Sequence, residues 1–414
     1  MRVLLFKSLS RMTAFVMICL LMAGCAAEES PPAKGKSIAA KSPAAGSRNQ
    51  SPEKESPPSL QEPPPTRVVK PAEPVEEPEA QRAPPASALP VRFAGLQEAL
   101  EGTPLDEERI KAHGIRQLSG KHLTLYTDLP RHPAIEELPT VFNLAISQWA
   151  GYFQVPAEKV ADWHIIGRLM KDKTRFQKAG LLPESLPSFG HGFNYGNHLW
   201  VHDQATDYYR RHLLLHEGTH GFMQTFLGGA GPPWYREGMA ELLGTHRWAE
   251  GKLQLKYFPR DKKETPGWGR IKIIKDEVAA GRGVMLSKVL RFPPTVHRQV
   301  QPYAWCWAAA TFFDSHPQYQ QRFHQLQKES SELSDLFSDR FYERLKDQWP
   351  EVRDQWQWFV LNMEYGFDVQ REAIDPKPVT PLTEKVVELE VRADRGWQST
   401  GLQLAAGSQV EIVA

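Results

Sequence analysis

The residues best suited to do chemistry are His216, Glu217 and His220, the polar members of H-E-G-T-H inside R-R-H-L-L-L-H-E-G-T-H-G-F-M. On a helix, residues four apart share a face and stand about 6 Å apart along the axis, close enough for two imidazoles to hold one ion. Neutral imidazole suits the borderline-soft Zn²⁺. A carboxylate one position after the first ligand points beside the metal, where it can take a proton from a water. Catalytic zinc takes three protein ligands and leaves a fourth position for water. His212 also lies four positions from His216, but on a straight helix it stands about 12 Å from His220, while Zn–N bonds are about 2.1 Å. It reads as a packing residue or as a support for the ligands.

The third ligand is expected in the next helix. G-G-A-G-P-P is a tight connection with Pro232 and Pro233 where a helix starts, and W-Y-R-E-G-M-A-E-L-L-G follows. Glu237 and Glu241 are four apart and share a face. Set among Met239, Ala240, Leu242 and Leu243, two carboxylates are costly to bury without partners. A metal and a ligand imidazole supply both partners. Glu237 is therefore assigned to the zinc, and Glu241 to a histidine N–H whose tautomer it fixes. The alternative is an exposed acidic pair on a surface helix.

Several elements must position these residues. K-H-L-T-L-Y-T-D-L-P alternates around Leu123, Leu125 and Tyr126 as a strand does, and a helical spacing of apolar residues runs from about Ala134 to Phe153. Trp163–Leu169 reads as a strand and Lys171–Ala179 as a short helix. G-F-N-Y and H-L-W-V-H-D read as a hairpin about Gly196-Asn197, ahead of a long helix over Thr206–Leu227. His202 ends the strand before that helix. A strand there pairs with extended substrate, so His198–His202 is expected to guide a peptide by backbone bonding. Beyond Trp234 the pattern is almost entirely helical to about Tyr365. The expected class is α+β: a small mixed sheet, the H-E-x-x-H helix, a mainly helical subdomain, and a partial β module at the C-terminus.

H-E-G-T-H followed by W-Y-R-E-G-M-A-E-L resembles the gluzincins, metallopeptidases with an H-E-x-x-H helix and a glutamate third ligand. The W-x-x-E-G-x-A-E form looks most like the peptidase-MA-like domains of exported bacterial proteins. The resemblance covers about Lys121–Gly366, with one departure: many gluzincins carry Asp where Glu241 stands. It implies a zincin-like fold with His216, His220 and Glu237 on the metal and Glu217 as general base. It also implies that Tyr303, in Q-P-Y-A-W-C-W-A-A-A-T-F-F, donates its hydroxyl to the oxyanion. Read from its own sequence, Tyr303 equally fits a tyrosine capping a core helix. No G-x-M-E-N-like stretch of the kind that holds a free amine is present, which points to internal cleavage or a different exopeptidase arrangement.

Residues 1–25 read as a lipoprotein signal. Arg2, Lys7 and Arg11 precede the apolar run Met12–Met22, too short to span a bilayer, where a helix needs about 20 residues. L-M-A-G-C resembles the bacterial lipobox, which makes Cys25 the acylated residue and the membrane of the cell envelope the anchoring partner. Residues 26–92 contain no Phe, Trp or Tyr and 15 of the chain's 34 prolines, a composition expected of a disordered tether. Residues 93–375 form the expected metallopeptidase domain. Residues 376–414 form a β module with period-two runs V-V-E-L-E-V-R-A and Q-V-E-I-V-A, too few strands for an independent sheet, which suggests a truncated sequence. G-W-Q-S-T-G-L-Q-L-A-A-G resembles the opening of galactose-binding-like β-sandwich modules and implies a carbohydrate partner. Lys and Arg number 50 against 49 Asp and Glu, so no basic surplus calls for nucleic acid. Cys306, in an apolar run, is expected to be a small buried core residue. Three rival functions stand beside zinc-dependent cleavage of a peptide or protein. One is an inactive scaffold, another a zinc hydrolase of a cell-wall amide or ester, and the last a carbohydrate-binding envelope protein.

Overall fold

The computed structural model describes residues 2–8, 94–102, 104–295, 299–384 and 386–413. Cys25 and the expected tether lie outside the described residues. After a first strand, β1 (Arg2–Ser8), and short helices over Ala94–Glu101 and Glu107–Ala112, the chain builds a five-stranded mixed sheet. Its strands are β2 (Arg116–Ser119), β3 (Leu123–Thr127), β4 (Ile165–Met170), β5 (Gly192–Tyr195) and β6 (His198–His202), in the spatial order β2-β3-β4-β6-β5. The inner three run parallel, and β2 and β5 close the edges antiparallel. This sheet with its helices is an α+β architecture, as expected; β2 was not foreseen.

The pleat sorts side chains to two cores. Leu123, Leu125, Ile165, Leu199 and Val201 join the main core, while Tyr126, Met170 and Trp200 join a second one with Ile110, Ile115, Phe176 and Leu181. On the main side lies the helix Leu138–Phe153, which begins after a separate turn over Pro133–Glu136 rather than running on from Ala134. The H-E-G-T-H helix, Asp207–Leu227, starts where the Thr206 side chain accepts from the Tyr209 N–H and ends at Gly228 with φ 73°. It touches the Leu138–Phe153 helix at Gly218, where a Cβ would lie 2.6 Å from Phe142 and 2.7 Å from Trp149. The third residue of the motif is thus a packing requirement.

Pro233 opens the next helix, Pro233–Gly244. Where helix was expected to continue, a hairpin follows instead, β7 (His246–Ala249) and β8 (Lys252–Leu255), turned by Glu250 and Gly251 at φ 53° and 72°. The helix Gln301–Ser315 is apolar all round, with Trp305, Cys306, Trp307 and Phe313 buried, and forms the axis of the helical part. Gly238 lets the Pro233–Gly244 helix approach it, since a Cβ there would stand 2.7 Å from the Cys306 carbonyl oxygen. Cys306 is a free, buried thiol, as expected.

The C-terminal strands are β9 (Thr380–Pro381), β10 (Val386–Glu390), β11 (Leu402–Gln403) and β12 (Gln409–Val413). β10 and β12 coincide with the two alternating runs, and β1, where the sequence reading put no strand, lies between them antiparallel to both. Among the described residues no helix is long and apolar enough to cross a membrane.

Two histidines outside the H-E-G-T-H motif make folding pH-dependent. His246, stacked on Tyr208 at 4.6 Å, donates Nδ1–H to the Gly244 carbonyl, and burial pushes its pKa down to about 3. His316 donates to Gln355 and is pushed by burial to about 4. Both are neutral in the fold and protonated below about pH 6.5 when unfolded, so the unfolded state gains protons as pH falls. Stability present above about pH 6.5 should be lost progressively toward pH 4, by roughly 3 kcal/mol per pH unit for the pair at most. Urea midpoints at pH 7 and pH 5 test this, and equal midpoints would contradict it.

Candidate metal centre

The H-E-G-T-H helix and the Pro233–Gly244 helix bring His216, His220 and Glu237 together. His216 Nε2 lies 3.2 Å from His220 Nε2, and Glu237 Oε2 lies 3.3 Å and 3.4 Å from those two atoms. A tetrahedral ion with bonds of about 2.0–2.1 Å sets its donor atoms roughly 3.3–3.4 Å apart. The three atoms therefore have the spacing of one triangular face of such a site, in a buried group of residues that could hold a metal ion. All three side chains are at least 89% buried. Without an ion, three polar groups would have been desolvated for little return.

Glu237 spends its other oxygen on Arg236, whose Nε and Nη2 lie 2.9 Å and 2.8 Å from Oε1. Burial alone would raise the Glu237 carboxyl, but Arg236 and the two imidazoles hold it well below the usual carboxylate range. Burial opposes protonation of both imidazoles. At His220 it prevails and the pKa falls; at His216 the Glu237 hydrogen bond and the Glu217 and Glu241 charges reverse it.

Behind this triangle sits a second group that could hold a metal by composition, His212, His216 and Glu241. Its carboxylate is already committed. Arg270 donates from Nη2 to Glu241 Oε1 at 2.8 Å and from Nε to Oε2 at 3.0 Å, and the Trp268 indole donates to Oε2 at 3.1 Å. With a guanidinium in place, a further cation there would meet like charge. Glu241 also faces His212 Nε2 at 3.3 Å and His216 Nδ1 at 3.5 Å, the latter long for a hydrogen bond. That orientation leaves the His216 Nε2 lone pair for the triangle. The sequence reading gave Glu241 an imidazole partner and missed Arg270 and Trp268, whose distance along the chain carries no periodic signal. His212 is fully buried between Tyr209 and Tyr208, at ring distances of 5.7 Å and 6.2 Å, and supports rather than completes the triangle.

Glu217 is 6% exposed, and burial raises its carboxyl to about 7. Its carboxylate rests against β5: a Cβ added at Gly192 would stand 2.4 Å from Oε1 and 2.9 Å from Cδ. Only glycine leaves that oxygen its place, a requirement the sequence reading also missed. Gly192→Ala should turn the carboxylate aside without touching the triangle. Metal content should be kept, while any reaction using Glu217 falls at least tenfold, since an ångström of misplacement costs about a hundredfold. Unaltered turnover in that variant would mean that the Glu217 position is not used.

Tyr303 lies at the first turn of its helix with its ring 6.0 Å from the His216 ring and 5.8 Å from the Arg270 guanidinium. Burial and the three glutamates raise its pKa, so the hydroxyl keeps its proton. It faces the centre rather than merely capping the core helix. His202 does not join it. β6 is paired on both sides, with β4 and β5, so it cannot guide an added chain, and the His202 ring stacks on Phe189 at 5.0 Å. The hairpin folds its first strand outward, making β5 one of the two edge strands of the sheet. No protein-family model matches the chain, and no curated protein matches it.

Proposed function

We propose that the chain is a zinc-dependent peptidase of gluzincin type, with His216, His220 and Glu237 as the metal ligands. The observation that carries this reading is the triangle of donor atoms at 3.2–3.4 Å, which suits an ion of tetrahedral preference with N and O ligands. A zinc ion held there would lower the pKa of a bound water to near 7 and polarise a carbonyl. Glu217 takes the proton of the attacking water and passes it to the leaving amine. Burial supports this role, because a base that titrates near neutrality can both accept and return a proton. The Tyr303 hydroxyl donates to the developing oxyanion. A substrate running along β5, the strand beside Glu217, brings its carbonyls past the base. From the sequence we also propose that the chain is exported and lipid-anchored through Cys25, and that its C-terminal strands bind carbohydrate.

The deciding experiment is metal analysis of the purified full chain together with digestion of an unstructured protein such as casein. The reading expects one zinc per chain and cleavage that stops on chelation. A fully folded protein that binds no zinc would end it, and zinc binding with hydrolysis of a cell-wall amide instead would change the substrate class.

A further inference from the structure

Arg236 binds one oxygen of Glu237, and hydrolysis as proposed makes no use of its remaining donors. Its neighbour in kind, Arg270, is 5% exposed and is consumed by Glu241 through a two-pronged pair. Arg236 differs on both counts. Its side chain is 37% exposed, and Nε and Nη2 converge on one oxygen, Glu237 Oε1. A guanidinium carries five N–H donors, so those on Nη1 and the second on Nη2 remain, and no further partner for them is found among the described residues. Bonded to Glu237 at 2.8–2.9 Å and partly exposed, the guanidinium stands beside the donor triangle and reaches solvent. Charge counting points the same way. The buried carboxylates Glu217, Glu237 and Glu241 meet two guanidiniums, and a dication turns that balance net positive. A site of this sign, walled by protein, attracts an anion. The planar fork of arginine fits a carboxylate better than any other group a peptide carries.

We propose that Arg236 is a specificity-determining residue that binds a substrate carboxylate beside the scissile bond, so that peptides with a free C-terminus or an acidic side chain next to that bond are preferred. This inference rests on the peptidase reading. It is tested with the full chain carrying Glu217→Gln and loaded with zinc, by fluorescence anisotropy on three labelled peptides of one parent sequence. The first ends in a free carboxylate, the second in a carboxamide, and the third in a carboxamide with one Asn replaced by Asp.

A charge-assisted pair predicts that the first or the third binds about tenfold to a hundredfold more tightly than the second, and which of them does so identifies the source of the carboxylate. Adding Arg236→Gln should close the gap to within twofold at equal zinc content. Arg236→Lys, which keeps the charge beside Glu237 but loses the fork, should shrink the gap at least threefold, and it decides the matter should the glutamine variant lose zinc or fail to fold. Equal binding of all three peptides, no binding of any, or a gap that survives these substitutions overturns the proposal. The peptidase reading fails separately: a gap that Arg236 substitution closes, with no cleavage of the same peptides by the wild-type chain, removes hydrolysis and leaves carboxylate binding standing.

Discussion

Glu217→Gln should abolish hydrolysis and leave the metal in place. The amide has the shape of the carboxyl group and fits the same pocket against Gly192, so neither the fold nor the donor triangle is disturbed. What disappears is the ability to accept a proton. General-base catalysis contributes typically 10²–10⁴-fold, and a turnover loss of roughly a thousandfold is the expected size. Zinc content by mass spectrometry of the same samples separates loss of chemistry from loss of metal. A glutamine variant that cleaves at the wild-type rate would falsify the assignment of Glu217 as base.

Glu237→Ala is expected to release the ion. The variant removes one corner of the triangle and, with it, the only anionic donor. Two neutral imidazoles remain, and affinity should fall well beyond the 10- to 100-fold that loss of a supporting hydrogen bond costs. Arg236 loses its partner but is partly exposed, so water can take over and the penalty in stability is small. The outcome to watch is zinc retained at full stoichiometry after dialysis, which would name another residue as the third ligand and dismantle the centre as drawn. Glu237→Gln, which preserves volume, should behave in the same direction with a smaller loss.

How much of this was open to reading beforehand follows the range of the interactions. The pairing of His216 with His220 is local, a matter of one helical turn, and Glu237 was reachable because buried carboxylates on an apolar helix demand partners. The strand and helix around Leu123–Phe153 and the helix over 206–227 announced themselves by period. The partner of Glu241 did not. Arg270 arrives from a different helix, and no spacing rule links it to the W-Y-R-E-G stretch. Nor did the order of the hairpin: G-F-N-Y and H-L-W-V-H are alike in pattern, and only the tertiary sheet decides that β6 is inside and β5 outside. The β7–β8 turn did have a signal, Glu250-Gly251, between short strands that a long helical stretch overshadowed. At Gly192 a small residue on a strand gives no hint of which side chain needs the space.

The Arg270 clamp on Glu241 has one more consequence. In small zinc modules the ion is the keystone, and its withdrawal unravels the chain. Here Glu241, behind the triangle, is held by a guanidinium and an indole, and His212 lies between two tyrosine rings, none of which depends on a cation. The pocket should stand ready-made when empty, so that metal can be swapped between ions of similar size without a folding step, and thermal melts before and after chelation should differ only by the binding energy of the ion.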